Sequence, residues 1–545
     1  MAVREKLDRL LNGVQQFVVA PPFEAIQPFR SRPAPLVVLT RKSAFFATCI
    51  FAGLFYGFWG SVLPPGFVIF LVIPFLILAA IILWVWPDNE AVQGQSLALA
   101  LFSFTAVSFL WPNYLAIGIP GLPWLSLRRI VGLWTVAVFL MSIASSKKMR
   151  EDIFVYLDSI PILWRMLTAF FVTQTISIFV SPYPVLAYKQ WFNTQYAWTA
   201  IFFISCFIFS RPGNFVKWSN IILTCSVIVS LIAIAEQFNK MVLWANHIPP
   251  FLQIDSDAVE RILRPTYRGS QYRSQAIFGV SLALAEFLAL SFTILLHKFM
   301  TSKSVGRQFW LGLAMIASLV AIGMSRARLG FIGVVVALAI YGFIWGYRQF
   351  KSSKTNIIGA AMTYGYPAIM MVASILLVSV DALRIRILGG GQAQASNDGR
   401  QMQFDMAPPV IMQSPIFGHG GAQGGVALGF RNAAGELTID SYLLSVVLDY
   451  GIVGFVLFYG SLACAAFYAL RWALFSDATV VDPKEREEID YIFPIGVMLT
   501  QFYVIKTVLS QEENHTILFM MFGGLLALFG RYKTALASHR PSEKP

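Results

Sequence analysis

Apolar residues in this chain come in long blocks rather than alternating with polar ones. Residues 62–86, 218–235, 329–346 and 357–380 are nearly free of charge. A helix of about 20 such residues, rising 1.5 Å per residue, crosses a hydrocarbon core of roughly 30 Å. Lipid offers the backbone no hydrogen-bond partners, so runs of this length satisfy themselves as helices. The pattern predicts spans near 43–60, 62–86, 96–113, 126–146, 161–181, 188–210, 218–237, 275–297, 308–325, 329–347, 357–380, 439–472, 490–508 and 514–531. The stretch 439–472 is long for one crossing, which predicts a helical extension above the bilayer. Pro112, Pro120 and Pro123 break the 96–126 region. The fold class is all-α: a polytopic transmembrane helix bundle of about 12–14 spans.

The polar segments orient the bundle. With the N-terminus inside, the inside loops 147–160, 211–217, 298–307 and 348–356 carry Lys147, Lys148, Arg150, Arg211, Lys217, Lys298, Lys303, Arg307, Arg348, Lys351 and Lys354. Cytoplasmic loops collect Lys and Arg in this way, and both termini fall on the cytoplasmic side. The inside loop 87–95 lacks basic residues and runs against the scheme. Five segments follow: a basic cytoplasmic piece 1–42, N-terminal spans 43–237, a region 238–475 holding the candidate chemistry, C-terminal spans 476–531 and a tail 532–545. Leu7, Leu10, Leu11, Val14 and Phe17 recur at helical spacing, which fits an amphipathic helix on the inner leaflet as well as an unordered tail. The first 42 residues are too polar for a cleavable signal peptide. Two long loops, 238–274 and 381–438, are left outside, and the second caps the outer face.

Composition agrees. Of 545 residues, 57% are hydrophobic and 13% charged, against about 25% charged in soluble domains. The net charge of +13 would suggest nucleic acid in a soluble protein. Here the inside loops account for it, and no nucleic-acid partner is expected. Cys49, Cys206, Cys225 and Cys464 all lie inside apolar spans, which predicts neither disulfides nor a metal site.

Positive charge outside breaks the rule. Arg261, Arg264, Arg268, Arg273, Arg326, Arg328, Arg384, Arg386, Arg400 and Arg431 all fall on the trans side. Arginine presents a planar fork of donors that matches phosphate bidentately. The tightest groups are RILRPTYRGSQYR (261–273) and SRAR (325–328), each beside a span. They point to a phosphate-rich, membrane-embedded anion at the outer interface. The bland alternative is contact with lipid headgroups or pairing with Asp255, Asp257, Glu260 and Asp381.

A second pattern is SPIFGHGGAQGG (414–425) followed by TIDSYLLSVVLDYGIVGF (438–455). The glycines allow tight turns and close approach to a ligand. His419 and Asp440 are ionisable groups where a loop meets the membrane, as a general base requires. Asp440 could equally cap the following helix, and His419 could be structural. Within the spans, Glu236, Glu286, Asp449 and Lys506 are expected to pair inside the bundle.

The order of these features resembles the O-antigen ligase and polymerase superfamily of bacterial membranes. The elements are the segment with Arg264 and Arg268, the turn GMSRARLGF, the outer loop closing on SPIFGHGGAQGG, and the helix start DSYLLSVVLDYGIVGF, over roughly residues 190–475. The resemblance implies a GT-C-type glycosyltransferase of the inner membrane that needs neither metal nor cofactor. It would move a glycan from undecaprenyl diphosphate to a sugar hydroxyl of an acceptor glycan or lipid on the periplasmic face. It also implies that Arg264, Arg268, Arg273, Arg326, Arg328 and Arg400 hold the diphosphate, and that Arg326 and Arg328 act with Asp440 and His419 in catalysis. Many ligases of this family carry a histidine where this chain has Asp440-Ser441, which tilts the reading toward a polysaccharide or exopolysaccharide polymerase. Two other classes fit a polytopic bundle: a flippase for lipid-linked glycans, and a non-catalytic subunit working with other polysaccharide synthesis proteins. Clustering of arginine at one face, with no inverted repeat, disfavours the flippase.

Overall fold

The computed structural model describes residues 43, 46–47, 50–51, 53–55, 57–58, 94–118, 124–352, 357–380, 394–432, 435–476 and 482–539. The chain divides into two compact units, 1–75 and 76–545. In the first, the described residues are helical, and Phe46, Ile50, Phe51 and Leu54 are exposed. The predicted span 62–86, the basic segment 1–42, residues 87–93 of the loop 87–95 and Arg384 and Arg386 lie outside the described residues.

The second unit is a helical bundle. Its elements are α1 (Gly94–Leu110), the strand pair β1 (Ala116–Ile117) and β2 (Leu125–Ser126), α2 (Leu127–Ser145), α3 (Lys147–Leu157), α4 (Pro161–Val180), α5 (Pro184–Phe209), α6 (Asn214–Asn239) and α7 (Asp257–Leu263). Then come β3 (Tyr267–Arg268), β4 (Gln271–Tyr272), α8 (Ser281–Thr301), α9 (Val305–Met324), α10 (Arg328–Ser352) and α11 (Ile357–Val372). The chain finishes with α12 (Gln394–Ile411), α13 (Gly424–Leu428), α14 (Tyr442–Phe475), α15 (Pro483–Ile489), α16 (Ile492–Lys506) and α17 (His515–His539). Among the described residues ten helices are long and apolar enough to cross a membrane, and α1 and α11 are shorter apolar helices. They fall on the spans predicted from 96 onward. The predicted outer loops carry structure of their own: α7 and β3–β4 in the first, α12 and α13 in the second.

Local sequence explains where the helices begin. Ser126 caps α2 by accepting from the Arg129 N–H, and Ser146 caps α3 through Met149. Pro161 and Pro184 open α4 and α5, where the missing N–H costs nothing. The N-terminus of α6 is capped from a distance: Glu488 accepts from the N–H groups of Gly213 and Phe215, each at 2.8 Å, and is held by Arg531 at 2.6 Å. A carboxylate suits the positive end of a helix dipole.

Burial ranks the helices. In α17, 94% of the apolar window is buried and in α8 89%, against 17% in α9, so α8 and α17 are central and α9 is peripheral. Exposed Phe179, Phe238, Phe309 and Trp310 would be anomalous in water and suit lipid. In the core, Lys506 of α16 lies 3.0 Å from Glu286 of α8, with both side chains fully buried, and Asn514 donates to the same carboxylate at 2.9 Å. The pairing expected of Lys506 and Glu286 is present. Removing one partner strands a buried charge at a cost of about 3–5 kcal/mol, whereas removing both does not. Lys506→Met is therefore expected to lower the melting temperature in detergent more than Glu286→Gln/Lys506→Met does.

Candidate functional site

We use outer for the end of the bundle that carries the connections 181–183, 240–280, 325–327 and 507–514. There, the hairpin β3–β4 pairs Tyr267 with Tyr272 and Arg268 with Gln271. Gly269, at φ +61, occupies the first of the two loop positions, where a tight hairpin needs a left-handed residue. The hairpin is seated on the α9–α10 turn. Arg268 donates to the Arg326 carbonyl (3.2 Å), Arg273 to the Ser325 carbonyl (3.3 Å), and the Ser274 N–H to the Met324 carbonyl (3.2 Å). On its other side, buried Glu236 accepts from the Tyr272 hydroxyl (2.5 Å) and from the Gln275 and Ala276 N–H groups (3.1 and 2.6 Å).

The result is a cluster of guanidinium groups. Burial, and then the positive charge of Arg328 and Arg400, hold the Arg268 guanidinium below the usual arginine range. Arg273 is lowered in the same direction by burial and then by Arg268. Arg268, Arg273, Arg328 and Arg400 are half-buried, and Arg326 is exposed. Among the described residues no carboxylate lies within ion-pair distance of these five arginines. Arg264, expected to join them, is exposed and paired with Glu260 at 2.5 Å, while Arg261 pairs with Glu436. The bland pairing thus holds for these two and not for the cluster. Arg431 donates to the Gly435 carbonyl at 2.6 Å.

From Arg400 the path leads directly to Asp440. Gln403, three residues along α12 and buried, accepts the Asp440 N–H at 2.9 Å. Packing of Ala407, Leu428, Ile439, Leu444 and Leu448 ties α12 and α13 to the head of α14. Ser441, not Asp440, occupies the capping position of α14, and its side chain makes no capping bond. The capping alternative for Asp440 is therefore not what the fold uses.

The Gly-rich loop is locked to a break in α14. Gly451 adopts φ 70 and ψ −173, a conformation open in practice only to glycine, which divides the helix and accounts for its length. Carbonyls freed by the break are taken up by the loop: His419 N–H donates to Leu448 O (2.8 Å) and Gly420 N–H to Asp449 O (2.9 Å). Ile452 N–H turns to Pro415 O (2.8 Å). Asp449 is itself engaged, accepting the Gly424 N–H at 2.6 Å. The His419 Nδ1 lies 3.1 Å from the Leu448 carbonyl, so Nδ1 carries the proton and Nε2 is the basic nitrogen of the neutral ring. That Nε2 is buried without a partner, as are Arg400 Nε, Gln403 Nε2, Gln423 Oε1 and Ser441 Oγ. Buried polar atoms are nearly always satisfied, so these atoms are available to water or a ligand. All four described non-glycine residues at positive φ, Lys240, Ala276, Arg326 and Ala422, also lie in outer connections. Such strain gathers at functional sites.

Sequence reasoning passed over Glu512, Glu513 and Arg128. Glu512 accepts from Gln190 (2.6 Å) and Tyr442 (3.3 Å), and a Cβ added at Gly421 would lie 3.2 Å from Gln190 Cγ. Glu513 accepts from the Gly279 N–H at 3.3 Å, and Arg128 bonds Thr516 at 2.7 Å. Burial pushes the Glu512 and Glu513 carboxyls from the usual 4.5 up to about 7. Lys506 pulls the first downward, and the Gly279 N–H and then Arg128 pull the second downward. The folded protein thus keeps protons that the unfolded chain releases near pH 4.5, and stability falls as pH rises from about 4.5 to 7. Glu512→Gln/Glu513→Gln is expected to flatten that part of the melting-temperature profile. Two acids in a short connection read as a solvated turn, which is why the pattern did not single them out.

At the opposite end a cavity of about 960 Å³ is lined by Lys298, Arg307 and Arg348 among others. It lies far from the arginine cluster, since Arg328 and Lys351 sit near opposite ends of α10.

Comparison with known families places these features. Residues 313–459 match the family model Wzy_C, described as O-antigen ligase. The match contains Arg326, Arg328, Arg400, His419 and Asp440, while Arg268, Arg273 and Glu512 lie outside it. No curated protein matches the chain. The match supports membership in the O-antigen ligase and polymerase superfamily and, at that level, membrane glycosyltransferase activity.

Proposed function

We propose, from the premise that residues 313–459 form an O-antigen ligase domain, that the chain transfers a glycan from undecaprenyl diphosphate to an acceptor sugar hydroxyl at the periplasmic face. The observation that carries the proposal is the half-buried cluster Arg268, Arg273, Arg328 and Arg400, which has no carboxylate partner among the described residues. Charges held so near a bilayer without counter-ions are costly unless an anion completes them. A diphosphate supplies two phosphate groups for several forks. The hydroxyl oxygen attacks the anomeric carbon and the bond to the diphosphate breaks. Its electron pair leaves on the diphosphate, where the arginines stabilise the growing charge. The hydroxyl proton passes to His419 Nε2 or to Asp440, the two candidate bases. Guanidinium charge takes the place of a metal ion, so EDTA should leave the rate unchanged.

The proposal places the site outside the inner membrane, with both termini cytoplasmic. A membrane-impermeant thiol reagent should label cysteines placed at 326 and 264 from the periplasmic side. The decisive assay uses purified full-length protein in detergent with a lipid-linked glycan and an acceptor glycan. A new glycosidic bond, read by mass spectrometry, is the expected result. A flippase or a non-catalytic subunit forms none.

A further inference from the structure

The cavity at the other end of the bundle is formed by parts distant in sequence: the end of α8, the start of α9, the end of α10, the end of α14, and α15. One ion pair in its wall is complete. Arg348 lies 2.9 Å from Asp490, donates to the Ala473 carbonyl at 2.7 Å, and lies over the rings of Trp472 and Phe493. The other lining cations are Lys298, Lys303, Arg307, Lys351 and Arg486, and the other lining acid is Glu487. Among the described residues no carboxylate comes within ion-pair distance of any of these five cations. Lys298 makes the imbalance acute. It is 5% exposed, and its ammonium group is bonded to the Asn220 side-chain oxygen rather than to a counter-charge.

Basic residues at a cytoplasmic membrane face are ordinary, but they normally extend outward into water. Here they line one half-open cavity, and one of them is buried. A buried cation without a carboxylate is costly, and an anion would relieve that cost. The volume is at the upper end of the roughly 300–1,000 Å³ typical of small-ligand sites, well beyond what one inorganic phosphate fills. The lining offers both ammonium and guanidinium donors, a donor set for an anion bearing phosphate on an organic body. Basic pockets between helices on this side of a membrane suit phospholipid headgroups.

We infer that this cavity is a second anion site, binding a phosphate-bearing organic anion, either an anionic phospholipid headgroup or a soluble organic phosphate. It is separate from the arginine cluster, and its test does not depend on glycan transfer. The full-length protein, purified in mild detergent from membranes, is extracted and its retained lipids are quantified by mass spectrometry. Separately, sodium pyrophosphate is titrated into delipidated protein while the melting temperature is followed. The same measurements are made on Lys303→Ala/Arg307→Ala/Lys351→Ala, whose three side chains are exposed and outside the core. Lys298→Met serves as a second variant. Retention of about one phosphatidylglycerol per chain, reduced at least tenfold in the triple variant, identifies the headgroup. A pyrophosphate-induced rise in melting temperature that the triple variant and high salt both abolish identifies the soluble source. Absence of both effects, or equal effects in wild type and variants, overturns the inference.

Discussion

Replacing Arg268 and Arg328 together with glutamine is expected to lower glycan transfer by about 10³-fold or more while the amount of folded protein stays the same. These two groups come from separate parts of the outer end, the β3–β4 hairpin and the start of α10, yet burial and then the positive charge of Arg328 hold the Arg268 guanidinium below the usual arginine range, and no described carboxylate neutralises them. Removing like charges from a crowded cluster relieves repulsion, so the fold should not suffer. Removing a single preorganised donor to a developing anion typically costs about 10²–10³ in rate, and two should cost more. Lysine should not rescue Arg268, because its point charge cannot replace a fork that also donates to the Arg326 carbonyl. Arg264→Gln is the internal comparison. Already satisfied by Glu260 and exposed, it should have less than about a tenfold effect.

The second large effect is expected at Gly451. A Cβ there would lie 2.2 Å from the Ile416 carbonyl oxygen, a backbone atom that cannot swing aside, and φ 70 with ψ −173 is closed to branched residues. Gly451→Val should straighten α14, withdraw the Leu448 and Asp449 carbonyls from His419 and Gly420, and detach the loop. Loss of activity together with roughly 3 kcal/mol or more of stability is the expected outcome, read as rate and melting temperature. Gly460→Ala on the same helix controls for helix composition. Its new Cβ meets only the terminal methyl of Met166, which can move, so activity should remain.

These two sites differ in how plainly the sequence announced them. Spans from 96 onward were legible because hydrophobic length is a physical requirement of the bilayer, and arginines on the wrong side were legible because they violate a charge rule. Which of those arginines meet was not legible. Arg264 and Arg268 are four residues apart, yet the first turns to Glu260 and the second to the Arg326 carbonyl. That choice is made by the hairpin and by Glu236 behind it, contacts that no spacing encodes. The excess length of 439–472 was visible, but its cause was not: a glycine in DYGIVGF breaks the helix only because the Pro415–Gly420 segment of the loop is there to take its carbonyls and N–H. Glu512 and Glu513 were missed for a related reason. Their burial comes from Gln190, Tyr442 and Gly279, all distant in sequence.

Binding of undecaprenyl diphosphate to the purified full-length protein, compared with its Arg268→Gln/Arg328→Gln/Arg400→Gln variant, tests the central claim without requiring knowledge of the sugars. Wild type should bind with an affinity that weakens as salt rises, and the variant should bind at least about 100-fold more weakly. Equal affinity in the two proteins, at any salt concentration, would contradict the claim that these guanidinium groups receive the diphosphate.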